Sequence, residues 1–587
     1  MRAHYLRPLR SVLLRNLSFT RWHYWALCTL LIVLGVQGFE NGNVNNFRDQ
    51  SIQLPVIYSY NNPALFQGDF LLDARESYVT WFYPALGVAS RAIPLAWLMV
   101  GLYVLSVALT VSAVYTLAET LFPRHGVGPF AVILWMAYLP NPGGDFTHSP
   151  FVTHTTFAIA IELWALVLIW QHKYFGAAVL LGLAANINAM TSFFVGFMWL
   201  CAMIGNRRLW SWHTAAAFVV MALLALPIFV WRFSLPLTEA SLDEFVSIIR
   251  LRLWYAVFPF SISWILWAGF FALLILWRYS FRYGRPENHA EVTYMAAGIA
   301  ALCIIGTVFT EIIPVEFVIE LQLIRCTWLL NLFVVLYLAH MLRELLSAHT
   351  RRATLSAYAL LATLIIPRWV IEFSPPQQPT PYPLYIDLDP AWATDSRSAL
   401  ALICGLSLLA LLPITAYLVR QARCAQCSRR VMAWVGFAVA GLILPVFVPS
   451  HIPDEQRIVT SAWHETLTWI EGHTSPDASF VTPPMLDGFR VQARRPYLGD
   501  WKDGTVGIFH NGWAIEWYER MLDLGFDEDS FSFLPLTQER LCGVAEKYDL
   551  DYAVVFRESP VEGSPVFENE TFMVLPVESL NCSLARQ

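Results

Sequence analysis

The chain has 587 residues, of which 57% are hydrophobic and 14% charged, with a net charge of -6. A soluble globular chain carries about 25% charged and about 45–50% apolar residues, so an ordinary soluble enzyme, a disordered chain and a fibrous repeat are excluded. The charge is uneven: residues 449–587 hold 23 acids and 10 bases, whereas the preceding residues have an excess of 7 bases. That division predicts a membrane body over 1–449 and a soluble α/β domain over 450–587.

The first 23 residues carry Arg2, Arg7, Arg10, Arg15 and Arg21 and no acid, which places the N-terminus in the cytoplasm. The apolar run Tyr24–Phe39 follows without a small-residue cleavage site and reads as a retained helix. Further apolar segments lie near 94–118, 129–140, 152–171, 175–205, 211–231, 256–279, 292–312, 323–342, 354–372, 398–419 and 432–449. Basic residues at Arg124, Lys173, Arg207, Arg278, Arg343 and Arg420 separate alternate pairs. Lys173 and Arg207 share a side only if 175–205 crosses twice, with a break at Asn186, Asn188, Thr191 and Ser192. The expected architecture is an α-helical polytopic membrane protein of about 11–13 helices in the inner membrane, with a small C-terminal α/β domain on the periplasmic face.

Four regions face outward under this topology. They are the long loop 40–92, the short loop from Asn141 through Asp145 to His148, an interfacial helix within 232–255, and the tail. Within loop 40–92, residues 76–92 form an aromatic amphipathic stretch suited to the interface. In the tail, Tyr552–Phe556 (YAVVF) is the clearest strand signal, being β-branched and aromatic. Residues 463–472, 513–524 and 538–548 read as helices. Cys542 and Cys582 are the tail's only cysteines and are able to pair in an oxidising compartment. Cys424 and Cys427 form a lone CxxC, a weak zinc signal.

No P-loop, GxGxxG, HExxH or GxSxG is present, and no basic tract suits nucleic acid. Chemistry therefore falls to polar groups where membrane meets water. Asp49, Asp69 and Asp145 are the candidate catalytic carboxylates, each able to deprotonate a hydroxyl or hold a divalent cation. The plainer reading makes Asp69 and Asp145 turn residues beside Gly68 and Gly144. His148 and His154 are candidate substrate contacts. Arg325 enters an apolar helix and suits a lipid phosphate, with an internal bridge to Glu316 or Glu320 as the alternative. Glu311 brackets the same turn, and Glu162 reads as a structurally paired mid-helix acid. Arg490, Arg494, Arg495 and Lys502 concentrate positive charge in an acidic domain, either for a phosphate or acidic sugar or as a solvated face.

This layout, together with the phrases QLPVIYSYNNPALFQGDF and TSPDASFVTPPMLDGFRVQARRPYLGDWKDG, resembles the GT-C superfamily of integral-membrane glycosyltransferases. The resemblance implies a donor sugar linked to polyprenyl phosphate and an unidentified glycan, lipid or protein acceptor. It implies a first-loop Asp as base or metal ligand, best matched by Asp49 and then Asp69. Asp145 would match the second-loop acid, and Arg325 the cation that meets the lipid phosphate. The first loop lacks an Asp-Glu pair, the second lacks DxD and the tail lacks WWDYG, so the cofactor stays unassigned, with Mg or Mn as candidates. The competing readings are a transporter or flippase, which predicts repeats and broken helices, and a non-catalytic scaffold with a binding tail.

Overall fold

The computed structural model describes residues 49–360 and 454–582, except 124–125, 137–138, 140, 145–151, 236–239, 349, 351, 354–355, 358–359 and 487. The expected helices at Tyr24–Phe39, 398–419 and 432–449, most of 354–372, and the Cys424–Cys427 pair lie outside these residues.

The chain enters with α1 (Gln50–Asn61), the short α2 (Phe70–Asp73) and α3 (Phe82–Ala89). Trp81 and Val88 stay exposed at α3, as suits a helix lying at a lipid interface. The membrane body follows: α4 (Leu95–Leu121), α5 (Gly128–Met136), α6 (His154–Trp170), α7 (Tyr174–Ala185), α8 (Ala189–Gly205) and α9 (Trp212–Ser234). Next come α10 (Leu242–Val257), α11 (Trp264–Ser280), α12 (His289–Thr307), α13 (Glu316–Glu320) and α14 (Thr327–Ser347). Among the described residues, four helices are long and apolar enough to span a bilayer: Leu95–Leu121, Trp212–Ser234, His289–Ile312 and Glu316–Ser347. Exposed Leu223, Phe229 and Ile304 on these helices, and Ile275 on α11, suit lipid contact. The protein is an integral membrane protein.

The long apolar run at 175–205 does divide. Asn186 ends α7, and Asn188 caps α8 by accepting from the Thr191 backbone N–H. Tyr174, at the start of α7, stacks on Trp199, near the end of α8, at 5.8 Å. The two helices therefore run antiparallel, which returns Lys173 and Arg207 to one side.

The tail consists of α15 (Asp454–His473), β1 (Phe480–Val481), α16 (Phe489–Gln492), α17 (Asn511–Asp523), β2 (Phe526–Asp527), β3 (Ser532–Phe533), α18 (Gln538–Tyr548), β4 (Tyr552–Phe556), β5 (Phe567–Glu568) and β6 (Phe572–Pro576). The main sheet has the order β1-β4-β6-β5, with β1 parallel to β4 and the other pairs antiparallel. Trp463, Leu467 and Ile470 of α15 pack under this sheet with Phe480, Phe489, Phe572 and Val574. Cys542 and Cys582 form a disulfide. The bridge closes a loop with a sequence separation of 40, worth about 4 kcal/mol in chain entropy. The double variant Cys542→Ser, Cys582→Ser is expected to lose up to that amount, read as a lowered denaturation midpoint of the purified protein.

The tail is not a tethered bead. Its Trp501, Trp513 and Trp517 belong to a core continuous with α1, α2 and α10. Phe70 stacks on Trp513 at 4.6 Å, Trp513 Nε1 donates to the Phe70 carbonyl, and the Arg520 guanidinium covers Phe70 at 3.9 Å. Burying a Phe side chain contributes roughly 1.5–3 kcal/mol, so α2 alone ties the first loop firmly to α17.

Candidate active site

Asp49 stands at the N-terminal end of α1, where its side chain makes no capping bond. Its Oδ1 accepts from Lys502 Nζ at 2.7 Å. Lys502 opens a 3-10 run, Lys502–Phe509, held from beneath by α10: Arg252 donates to the Trp501 carbonyl at 2.9 Å and to Thr505 Oγ1 at 3.0 Å. Burial works against the Lys502 ammonium, but the charge of Asp49 and the bond to it outweigh burial, so its pKa is raised. Lys502 therefore stays cationic throughout the physiological range.

Phe509, at the other end of the same run, meets Tyr78 at 5.3 Å. Tyr78 in turn packs edge-on against Tyr83 at 5.4 Å and His154 at 5.6 Å. The Tyr83 hydroxyl and His154 Nδ1 are hydrogen-bonded at 2.7 Å. The charges of Asp49 and Arg325 both reach Tyr78 and His154. Burial first, then Asp49, hold the Tyr78 hydroxyl above the ordinary phenol range against the pull of Arg325. Asp49, Tyr78, His154, Tyr255, Arg325 and Lys502 are all half-buried. A carboxylate, its lysine and a wall of rings are thus linked through one run of the tail.

Arg325 is set by its backbone. It lies in the tight turn Leu323–Cys326 before α14, and the second loop presses against it. A Cβ on Gly143 would sit 2.5 Å from the Arg325 Cα, so only glycine fits there. Thr327 Oγ1 donates to Asn141 Oδ1, and the Gly143 N–H donates to Thr327 Oγ1 at 3.3 Å. Glu320, one of the two acids weighed as an internal partner for Arg325, accepts from Arg232 at 2.6 and 2.7 Å.

Several sequence-derived candidates have different tasks. Asp69 is fully buried. Its Oδ1 caps α2 through the Leu71 and Leu72 N–H groups, and its Oδ2 accepts from Arg490 Nε at 2.7 Å and the Tyr497 N–H at 3.2 Å. With both oxygens engaged and no solvent access, Asp69 joins the first loop to the tail instead of facing a hydroxyl. Arg490 is its buried counterpart, which also bonds both oxygens of Asp503 at 2.9 Å. Arg495 turns inward to the Glu471, Thr474 and Ala493 carbonyls. Glu311 accepts from the Phe260 N–H at 2.7 Å and pairs with Arg250 at 2.9 Å, clamping the end of α12 to the turn after α10. Asp145 and His148 lie outside the described residues. Among the described residues, no three His, Cys, Asp or Glu side chains gather to hold a metal ion, and Asp49 faces a lysine.

Sequence reasoning missed Tyr78, Tyr83, Tyr255, Phe509 and Arg252. The first two fall in the aromatic stretch read as an interfacial surface, and its density of rings was the available signal. Nothing local marks Arg252 or Phe509.

The architecture has the outline expected from the sequence, a helical membrane body with a small α/β region at its C-terminal end. A family model described as "Domain of unknown function (DUF6798)" matches residues 461–524, the segment that holds Arg490, Lys502, Asp503 and Phe509. No curated protein matches the sequence. Among solved structures, the chain is similar to the crystal structure of ArnT from Cupriavidus metallidurans bound to undecaprenyl phosphate. The identity is 13% and the TM-score 0.48, over 95% of this chain and 98% of that one.

Proposed function

We propose that the protein is a glycosyltransferase that moves a sugar from a polyprenyl-phosphate donor to an acceptor hydroxyl on the outer face of the inner membrane. The observation that carries this reading is the pairing of Asp49 with Lys502 at 2.7 Å, on the run whose far end, Phe509, packs against Tyr78 at 5.3 Å. Asp49 takes the proton of the acceptor hydroxyl. The acceptor oxygen attacks the anomeric carbon, the carbon–phosphate-oxygen bond breaks, and polyprenyl phosphate leaves with the electron pair. The Arg325 guanidinium meets the developing phosphate charge with paired donors. One displacement inverts the anomeric centre. Lys502 steadies Asp49 and adds a second positive charge beside the phosphate. The disulfide in the tail and the arginine-rich, acid-free N-terminus support an oxidising outer location for the tail and a cytoplasmic N-terminus.

The test is binding of undecaprenyl phosphate to the full-length protein in nanodiscs, with Arg325→Gln as the comparison. A hydrogen bond to a charged group is worth about 1.5–3 kcal/mol, so Arg325→Gln is expected to bind roughly 10- to 100-fold more weakly. Equal affinities for the two proteins would overturn the reading. A flippase or scaffold that binds the lipid elsewhere would give that result.

A further inference from the structure

Glu162 lies in the middle of α6 and is fully buried, in a membrane body where an ionisable group is costly. Its Oε1 accepts from the hydroxyls of Thr191 at 2.7 Å and Ser192 at 2.8 Å. Both hydroxyls belong to the first turn of α8, whose N-terminal dipole favours a carboxyl group beside it. The turn before α8, Asn186–Asn188, is thereby held against α6.

That turn reaches both sides of the candidate site. Asn188 Nδ2 donates to Thr155 Oγ1 at 2.9 Å, and Thr155 Oγ1 sits 3.4 Å from His154 Nε2. On the other side, Thr80 Oγ1 donates to the Ile187 carbonyl at 2.7 Å and the Trp81 N–H to the Asn186 carbonyl at 2.9 Å. Thr80 and Trp81 lie between Tyr78 and Tyr83. Asn186 Nδ2 also donates to the Leu224 carbonyl of α9 at 2.8 Å, so the turn is braced from a third direction. One three-residue turn therefore sets the spacing between His154 and the Tyr78–Tyr83 strip.

We infer that Glu162 is a positioning residue for the site: by anchoring the α7–α8 turn through Thr191 and Ser192, it keeps His154 in register with Tyr83. It lies 8 residues along α6 from His154, about 12 Å at a helical rise of 1.5 Å per residue, and touches no reacting atom. The inference rests on the proposed function for its purpose, but its geometry is testable without a substrate.

The experiment is carbethoxylation of individual histidines by diethyl pyrocarbonate, followed by mass spectrometry on the full-length protein in nanodiscs. Glu162→Leu leaves two buried hydroxyls without their acceptor, loosens the turn and frees the His154 ring, so His154 is expected to react at least about fivefold faster. Glu162→Gln retains an acceptor oxygen at the same place and is expected to stay within about twofold of the wild type. Thr155→Val removes the hydroxyl that Asn188 and the His154 ring share, without touching the Asn188 cap of α8 or Glu162, and is expected to accelerate His154 while Glu162→Gln does not, which preserves the test if the leucine variant does not fold. His289, bonded to Tyr337 at the far end of the body, is the control and is expected to be unchanged in all three. Unchanged His154 reactivity, failure of glutamine to rescue, or parallel acceleration of His289 would each overturn the inference. None of these outcomes depends on whether Arg325 binds lipid phosphate.

Discussion

Asp49→Asn is expected to reduce transfer from a radiolabelled polyprenyl-phosphate sugar by roughly 10²- to 10⁴-fold, the usual contribution of a positioned general base. Measured in proteoliposomes, undecaprenyl phosphate binding should change little, because Arg325 is intact. The substitution isolates the proton-accepting role well. The Asp49 side chain makes no cap bond to α1 and is about half exposed, at 48%, so the substitution leaves the helix start intact and removes the negative charge that faces Lys502. Asparagine still accepts from Lys502 through its carbonyl oxygen but takes up no proton at neutral pH. Activity retained within about threefold would remove Asp49 from the mechanism. A scaffold would keep its cellular phenotype in the same variant, and a transporter would show substrate counterflow that the substitution leaves intact.

The sequence and the structure agree where the physics is local. The polar Asn186–Ser192 interruption was visible because polar residues in the middle of an apolar run are expensive, and the run does fold back there. Tyr552–Phe556 reads as a strand and is one, in register with Phe572–Pro576, because β-branched and aromatic residues suit a pleated surface. Asp49, at the head of α1, could be singled out by its place in an outer loop. What could not be read was long-range pairing. Arg490 seemed available to a ligand, yet its partner Asp69 lies 421 residues earlier in the chain. Glu162 suggested a structural pair, but the choice of Thr191 and Ser192 over the neighbouring asparagines depends on the crossing of α6 and α8. Glu320 is close to Arg325 in sequence, but Arg232 reaches it from α9, with one nitrogen donating to both carboxylate oxygens. In each case the local composition identified a costly charge, and the tertiary fold chose its partner.

Arg490→Ala is expected to detach the tail from the first loop. Arg490 is the single cation between Asp69 and Asp503, with about 1% of its side chain exposed, and it lies over the Tyr497 ring at 4.1 Å. Removing one partner of a buried ion pair costs about 3–5 kcal/mol because the remaining charges stay uncompensated. Here Asp69 would be left buried beside Asp503 without the cation that lies between them. Burial raises the Asp503 carboxyl above the ordinary range; Arg490 opposes this, while Asp500 and Asp69 add to it. An acid whose folded pKa exceeds its unfolded value contributes stability that is complete below about pH 4 and is lost as pH rises through the folded value. Docking of the wild-type tail should therefore weaken from mildly acidic toward alkaline pH, and the sensitivity should disappear in Asp503→Asn. Limited proteolysis of the 474–510 segment in the full-length protein reads both effects. Faster cleavage in Arg490→Ala should be accompanied by loss of transfer activity, because Lys502 and Phe509 would no longer be held against Asp49 and Tyr78. Wild-type cleavage rates in Arg490→Ala would show that the aromatic contacts of Phe70 with Trp513 and Arg520 hold the tail unaided.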